Sequence, residues 1–175
     1  MPSTAKPAAK NKATKPAAAL RTGLNVGDKV PAFNMQVTGG GTISAAQLKG
    51  APYVLYFYPK DDTSGCTAEA CGFRDALPQF AKLGVKVIGV SKDNIASHEK
   101  FAAKYDLTFP LASDPESGFA TACGVWIEKS MYGRKYMGID RSTFLVDGAG
   151  IVRALWRKVS VPGHIDAVRA ALNDL

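Results

Sequence analysis

The stretch from Tyr53 to Asp75, YVLYFYPKDDTSGCTAEACGFRD, constrains the fold more than any other part of the chain. Tyr53 to Tyr58 are apolar or aromatic without a break and stop at Pro59, the pattern of a fully buried strand. After a short polar loop a helical pattern begins with Cys66 in its first turn. Ala70, Phe73, Leu77 and Phe80 or Ala81 then recur at helical spacing, and Pro78 is expected to kink or interrupt the helix. A buried strand thus delivers a cysteine to a helix N-terminus, where unpaired N–H groups and the positive end of the helix dipole stabilise an anion. A thiol at such a position loses its proton more easily, and the thiolate is the nucleophile.

The rest of the chain supplies a sheet around that strand. Phe33 to Thr38 reads as a short strand, Gly39 to Gly41 as a turn, and Ser44 as the N-cap of a short Ala-Ala-Gln-Leu helix ended by Gly50. Val85 to Val90 is a second buried strand. Ser97 to Tyr105 is a helix with Phe101 and Tyr105 on one face, Leu111 and Ala112 start a third strand, and Gly118 to Cys123 fits a short helix. Ser142 to Val146 is another apolar strand, which the Asp147 to Gly150 turn returns as the edge strand Ile151 to Trp156. A last helix carries Ile165, Val168, Leu172 and Leu175 on one face. This order predicts an α/β fold with a central mixed β-sheet flanked by helices, compatible with the thioredoxin-like fold.

Composition decides what surrounds that domain. The 175 residues, 46% hydrophobic and 21% charged, suit one domain at residues 23–175. The net charge of +7 suggests nucleic acid until it is apportioned: Lys6, Lys10, Lys12, Lys15 and Arg21 put five of the seven charges in residues 1–22, which hold no acid. That Lys/Ala/Pro-rich tail has almost nothing to bury and is expected to be disordered, a solubilising extension or a weak, salt-sensitive contact for nucleic acid or anionic membranes. No apolar run approaches a bilayer span and no secretory signal is visible, so the cytoplasm is the expected compartment. Three cysteines without an export signal argue for reduced, chemically used thiols.

The run Pro59, Lys60, Asp61, Asp62, Thr63, Ser64, Gly65, Cys66 places a proline, a threonine four residues on and a cysteine three after that. This resembles the peroxiredoxin signature. With Cys71, the following GFRD and the distant RSTFLVD, the chain from Leu24 to Leu175 is similar to the bacterioferritin comigratory protein, or peroxiredoxin Q, subfamily. One position departs: Ser64 stands where the family usually has proline. The resemblance implies a peroxidase without metal or other cofactor. Its peroxidatic nucleophile is Cys66; Thr63, which can cap the helix or hydrogen-bond the sulfur or a peroxide oxygen, and Pro59 belong to the loop that frames it; and Arg141, at the start of the strand-like run Arg141 to Val146, supplies a cation. Cys71 is the resolving partner in an intramolecular Cys66–Cys71 disulfide that a thioredoxin-like dithiol recycles. Another branch of the subfamily places its resolving cysteine on the helix that here reads SHEKFAAKY, which has none. A monomer acting on hydrogen peroxide and organic hydroperoxides is the implied form.

Rival readings are weaker. Arg74 and Lys60 could supply the cation but read as surface groups, and Cys123, among Ala and Gly, reads as a small buried hydrophobe. His98 and His164 lack the paired ligand spacing of structural zinc, a thiol–disulfide reductase would separate its cysteines by two residues, and Gly39 to Gly41 lacks the Lys-Ser or Lys-Thr of a phosphate loop. The alternative from another class is a redox-switched nucleic-acid-associated or chaperone-like binding protein that uses the basic tail. Spacing also sets a requirement: helical residues five apart lie about 140° around the axis and roughly 8–9 Å apart, whereas a disulfide needs Cα atoms within about 7 Å. Cys66 and Cys71 can therefore join only if the helix between them unwinds.

Overall fold

The computed structural model describes residues 23–175; residues 1–22, expected to be a basic disordered tail, lie outside the described residues. The strands are β1 (Asn34–Val37), β2 (Thr42–Ser44), β3 (Tyr53–Phe57), β4 (Lys86–Ser91), β5 (Leu111–Ser113), β6 (Trp126–Met131), β7 (Arg134–Ile139), β8 (Ser142–Val146) and β9 (Val152–Trp156). The helices are α1 (Ala45–Leu48), α2 (Ser64–Lys82), α3 (Ile95–Tyr105), α4 (Gly118–Ala122) and α5 (His164–Ala171), the last followed by a 3-10 turn at Leu172–Asp174. Seven strands form one mixed sheet in the order β2-β1-β5-β4-β3-β8-β9, and β6 and β7 form a separate hairpin.

β3 lies inside the sheet, parallel to β4 and antiparallel to β8. All five of its residues are buried, and their alternation feeds two cores. Leu55 and Phe57 face a core shared with Leu48 of α1 and Phe119 of α4. Val54 and Tyr56 face a second core with Phe73 and Phe80 of α2, Phe101 of α3 and Val168 of α5. Each large side chain withdrawn from water contributes roughly 1.5–3 kcal/mol, so β3 is held from both faces. The result is the expected helix–sheet–helix sandwich.

Local signals explain several boundaries. Ser44 caps α1 through a complete capping box with Gln47. α3 starts two residues before Ser97, because Asn94 Oδ1 accepts from the Ser97 amide at 2.8 Å and makes Asn94 the cap. β9 ends the sheet, as its alternation predicted.

Other expectations are corrected. α2 runs through Pro78 without interruption. Pro78 lies on the solvent side, where water can satisfy the Arg74 carbonyl, while Phe73, Ala76 and Phe80 hold both halves on the sheet. Leu175 lies past the 3-10 turn and is 45% exposed, so the apolar stripe of the last helix ends at Leu172. Among the described residues no helix is long and apolar enough to cross a membrane.

Candidate active site

The site forms where β3 ends. The Tyr58 amide donates to the Val90 carbonyl at 3.0 Å, carrying the chain past the sheet edge, and Pro59 to Thr63 make the loop into α2. Thr63, in extended conformation, is the N-cap residue, and its carbonyl accepts from the Thr67 amide at 2.8 Å. Its hydroxyl donates to the Lys60 carbonyl at 2.9 Å, so the hydrogen is spent inside the loop and not on the helix or the sulfur. Cys66 is the third residue of α2 and is 1% exposed.

The cation expected from sequence is beside it. Strand pairing sets Phe57 opposite Ser142, which places Arg141, the residue before β8, against the exit of β3. Arg141 donates from Nη2 to Cys66 Sγ at 3.4 Å and from Nη1 to Glu69 Oε1 at 2.7 Å. The approach depends on Gly65: a Cβ there would lie 3.1 Å from Nη2. Arg74 is occupied elsewhere, donating to the Tyr105 carbonyl and pairing with Asp75, and Lys60 is exposed.

Glu69 escaped sequence reasoning. Three residues after Cys66, it lies on the apolar face of α2 and is fully buried, and burial pushes its carboxyl up to about 7 although Arg141 pulls the other way. Its Oε2 has no hydrogen-bond partner, and neither has the buried hydroxyl of Tyr56. An acid at i+3 from a helix-start cysteine, on an otherwise apolar face, was the available signal. His164 is a second such residue: burial foremost, then the Arg141 charge, pushes it down to about 4, and its Nε2 lies 2.7 Å from the Thr143 hydroxyl. Lys129 on β6 is pushed down by burial and lies close enough to feel the charges of Asp140, Arg141 and Cys66.

All three thiols are free. Cys71 is half-buried within the same helix as Cys66. Cys123 is completely buried, and burial pushes its thiol far up, which leaves it inert and suits the reading as a small hydrophobe. Asp61, Asp93 and His98 offer three ligand atoms within 4.8 Å of one another. His98 Nδ1 already bonds Asp61 Oδ2, which also takes the Ser97 hydroxyl, and Asp93 Oδ2 takes the Asp61 amide and the Ser91 hydroxyl, so the cluster is a closed polar network and not an open metal cage.

A buried cysteine at a helix start, with a guanidinium on its sulfur that Glu69 holds from behind, forms a site that can stabilise negative charge developing on an attacked O–O bond. The AhpC/TSA family model matches residues 26–155. Peroxiredoxin Bcp of Bacillus subtilis is 44% identical over 152 residues, covering 87% of this chain and 97% of the relative. That of Xanthomonas campestris is 47% identical over 138 residues, covering 79% and 86%. A solved structure of the Xanthomonas campestris bacterioferritin comigratory protein, from a study of trapped intermediate and ligand complexes of its alkyl peroxide reduction, superposes with a TM-score of 0.78 at 45% identity over 81% of this chain and 90% of that one. Motif, site geometry and relatives agree, and the chain belongs to the AhpC/TSA family, within it to the Bcp, or peroxiredoxin Q, group of peroxiredoxins.

Proposed function

We propose that the thiol peroxidase chemistry of this chain runs through Cys66 and is completed by Cys71. The Cys66 thiolate attacks the terminal oxygen of a hydroperoxide. The O–O bond breaks, the alkoxide or hydroxide leaves with a proton as alcohol or water, and Cys66 becomes a sulfenic acid. Arg141 favours the anionic sulfur and then the charge spreading onto the oxygens. Thr63, whose hydrogen is committed to Lys60, offers lone pairs to the peroxide hydrogen, and Pro59, which has no N–H, sets the strand exit. The Cys71 thiol then displaces water from the sulfenic sulfur to form a disulfide, after α2 opens between the two residues. Two electrons and two protons from a thioredoxin-like dithiol restore both thiols. A monomer in a reducing, cytoplasmic setting suits this cycle.

The observation that carries the assignment is the Arg141 guanidinium 3.4 Å from Cys66 Sγ at a helix start. The test is peroxide turnover with a dithiol donor, together with a count of free thiols. Wild-type protein should lose two thiols per peroxide, reversibly, and Cys66→Ser should lose all turnover while keeping its fold. Retained turnover in Cys66→Ser would overturn the assignment. Nothing among the described residues favours the binding-protein alternative, which rested on the tail.

A further inference from the structure

The loop before the cysteine is tied down on the side away from Arg141, by groups the peroxide chemistry does not use. Asp61 is buried, and three side chains converge on its carboxyl group: Tyr58 Oη donates to Oδ1 at 2.6 Å, Ser97 Oγ donates to Oδ2 at 2.7 Å, and His98 Nδ1 lies 2.8 Å from Oδ2. The Asp61 amide donates to Asp93 Oδ2 at 2.8 Å, which also takes the Ser91 hydroxyl. His98 is fully buried, and its Nε2 lies 3.0 Å from the Ala112 carbonyl, which can only accept. Nε2 therefore carries hydrogen, and the ring joins β5 to the loop. Asp62, in the left-handed region at φ 58, is held by Lys104 and Tyr105 of the same helix α3.

We infer that His98, through Asp61, is a positioning residue for the peroxide-reactive loop: it locks residues 59–63 to α3 and β5, so the loop stays fixed while α2 unwinds to form the disulfide. This builds on Cys66 as the reacting thiol, which the Cys66→Ser experiment tests separately. The physical ground is the density of bonds. Every hydrogen-bonding atom of the Asp61 and His98 side chains has a partner, and a buried polar network resists opening only when it is fully satisfied. The first turn of α2 has no side-chain cap to hold it. Opening should therefore start after Thr63 and not before it.

Two substitutions divide the histidine's bonds. His98→Asn places its amide near Nδ1 and keeps the bond to Asp61, whereas His98→Gln reaches the Ala112 carbonyl and abandons Asp61. The readouts are the stopped-flow rate of peroxide with Cys66 and the pH dependence of Cys66 alkylation. His98→Gln should slow peroxide attack roughly tenfold or more and move the alkylation profile, while His98→Asn stays within about threefold of wild type. Equal losses in both, tracking their loss of thermal stability, would reduce His98 to a core residue and overturn the inference. Wild-type protein gives a second, independent measurement, decisive even if neither variant folds: amide hydrogen exchange by NMR in both redox states. The Asp61 amide should stay protected in the disulfide form while amides from Thr67 to Cys71 lose protection. Loss of protection at Asp61 on oxidation would overturn the inference as surely.

Discussion

Two clusters of buried polar groups flank the end of β3, and they are built to opposite standards. On the Asp61 side each side-chain oxygen and nitrogen of Asp61 and His98 is paired. On the Cys66 side Glu69 Oε2 and the Tyr56 hydroxyl lie buried with no partner, and one guanidinium serves both a carboxylate and a sulfur. An unsatisfied buried polar atom costs on the order of 1–3 kcal/mol, and such deficits persist where function needs them. The difference teaches which part is scaffold and which part reacts. The paired cluster holds the loop in place, whereas Glu69 Oε2 and the Tyr56 hydroxyl have no such hold on the Cys66 side.

The comparison breaks most sharply at Arg141. Arg141→Ala should slow peroxide attack about 10²- to 10³-fold, the usual cost of one donor aimed at developing charge, and move Cys66 alkylation to higher pH. Stopped-flow kinetics and a pH series of alkylation measure both. Unchanged values would make Arg141 a structural partner of Glu69 and nothing more.

Glu69 and His164 sharpen it through pH. The carboxyl of Glu69 is raised in the fold from 4.5 to about 7, so its contribution is fully present below about pH 4.5 and is lost as pH rises through about 7. The full shift is worth about 3 kcal/mol. His164 is depressed from 6.5 to about 4, so its contribution is present above pH 6.5 and lost as pH falls toward 4. The two slopes oppose each other in acid. Glu69→Gln removes the first, so its stability should fall more steeply than that of wild type as pH drops from 7 to 4. Denaturant midpoints across that range measure the difference between the curves. Parallel curves would mean that folding does not shift the Glu69 carboxyl.

Much of this region was legible from sequence because its signals are local. The apolar run of β3, the helix-start position of Cys66 and the motif around it needed no knowledge of the rest of the chain. Arg141, 75 positions away, was suggested by its place at the start of a strand and singled out by the resemblance, and strand register is what delivers it. Glu69 was passed over because a charged residue on a helix reads as surface unless its buried face is already known. His98 was dismissed for want of neighbours in sequence, although its partner Asp61 comes from 37 residues away. The β6–β7 hairpin escaped for another reason. It is mostly solvent-exposed and stands outside the main sheet, so it has no apolar run, and only Tyr132 and Gly133, both at positive φ, mark its turn.

The smallest effect, and the one that separates attack from rearrangement, is expected at Gly65. Alanine in a helix is favoured over glycine by up to about 1 kcal/mol, so Gly65→Ala should leave the reduced protein as stable as wild type or slightly more so. The new methyl carbon would lie 3.1 Å from Arg141 Nη2 and 3.8 Å from its Cζ, closer than the guanidinium tolerates at rest. A guanidinium is the free end of a flexible side chain and can yield by a few tenths of an ångström, but yielding loosens a contact to sulfur that already measures 3.4 Å. Peroxide attack should slow by roughly tenfold, less than the loss in Arg141→Ala because the charge is displaced and not removed. The stiffer first turn should also delay unwinding, so the sulfenic acid lives longer and more of it is oxidised again to sulfinic acid. Gly72→Ala is the control: its methyl would meet the Ile165 side chain of α5 at 3.0 Å, which changes packing but does not touch Arg141. Thermal melting, stopped-flow attack and the sulfinic fraction by mass spectrometry, read on both variants, separate the three contributions. An attack rate in Gly65→Ala equal to that of wild type would show that the guanidinium does not need its present position over the sulfur.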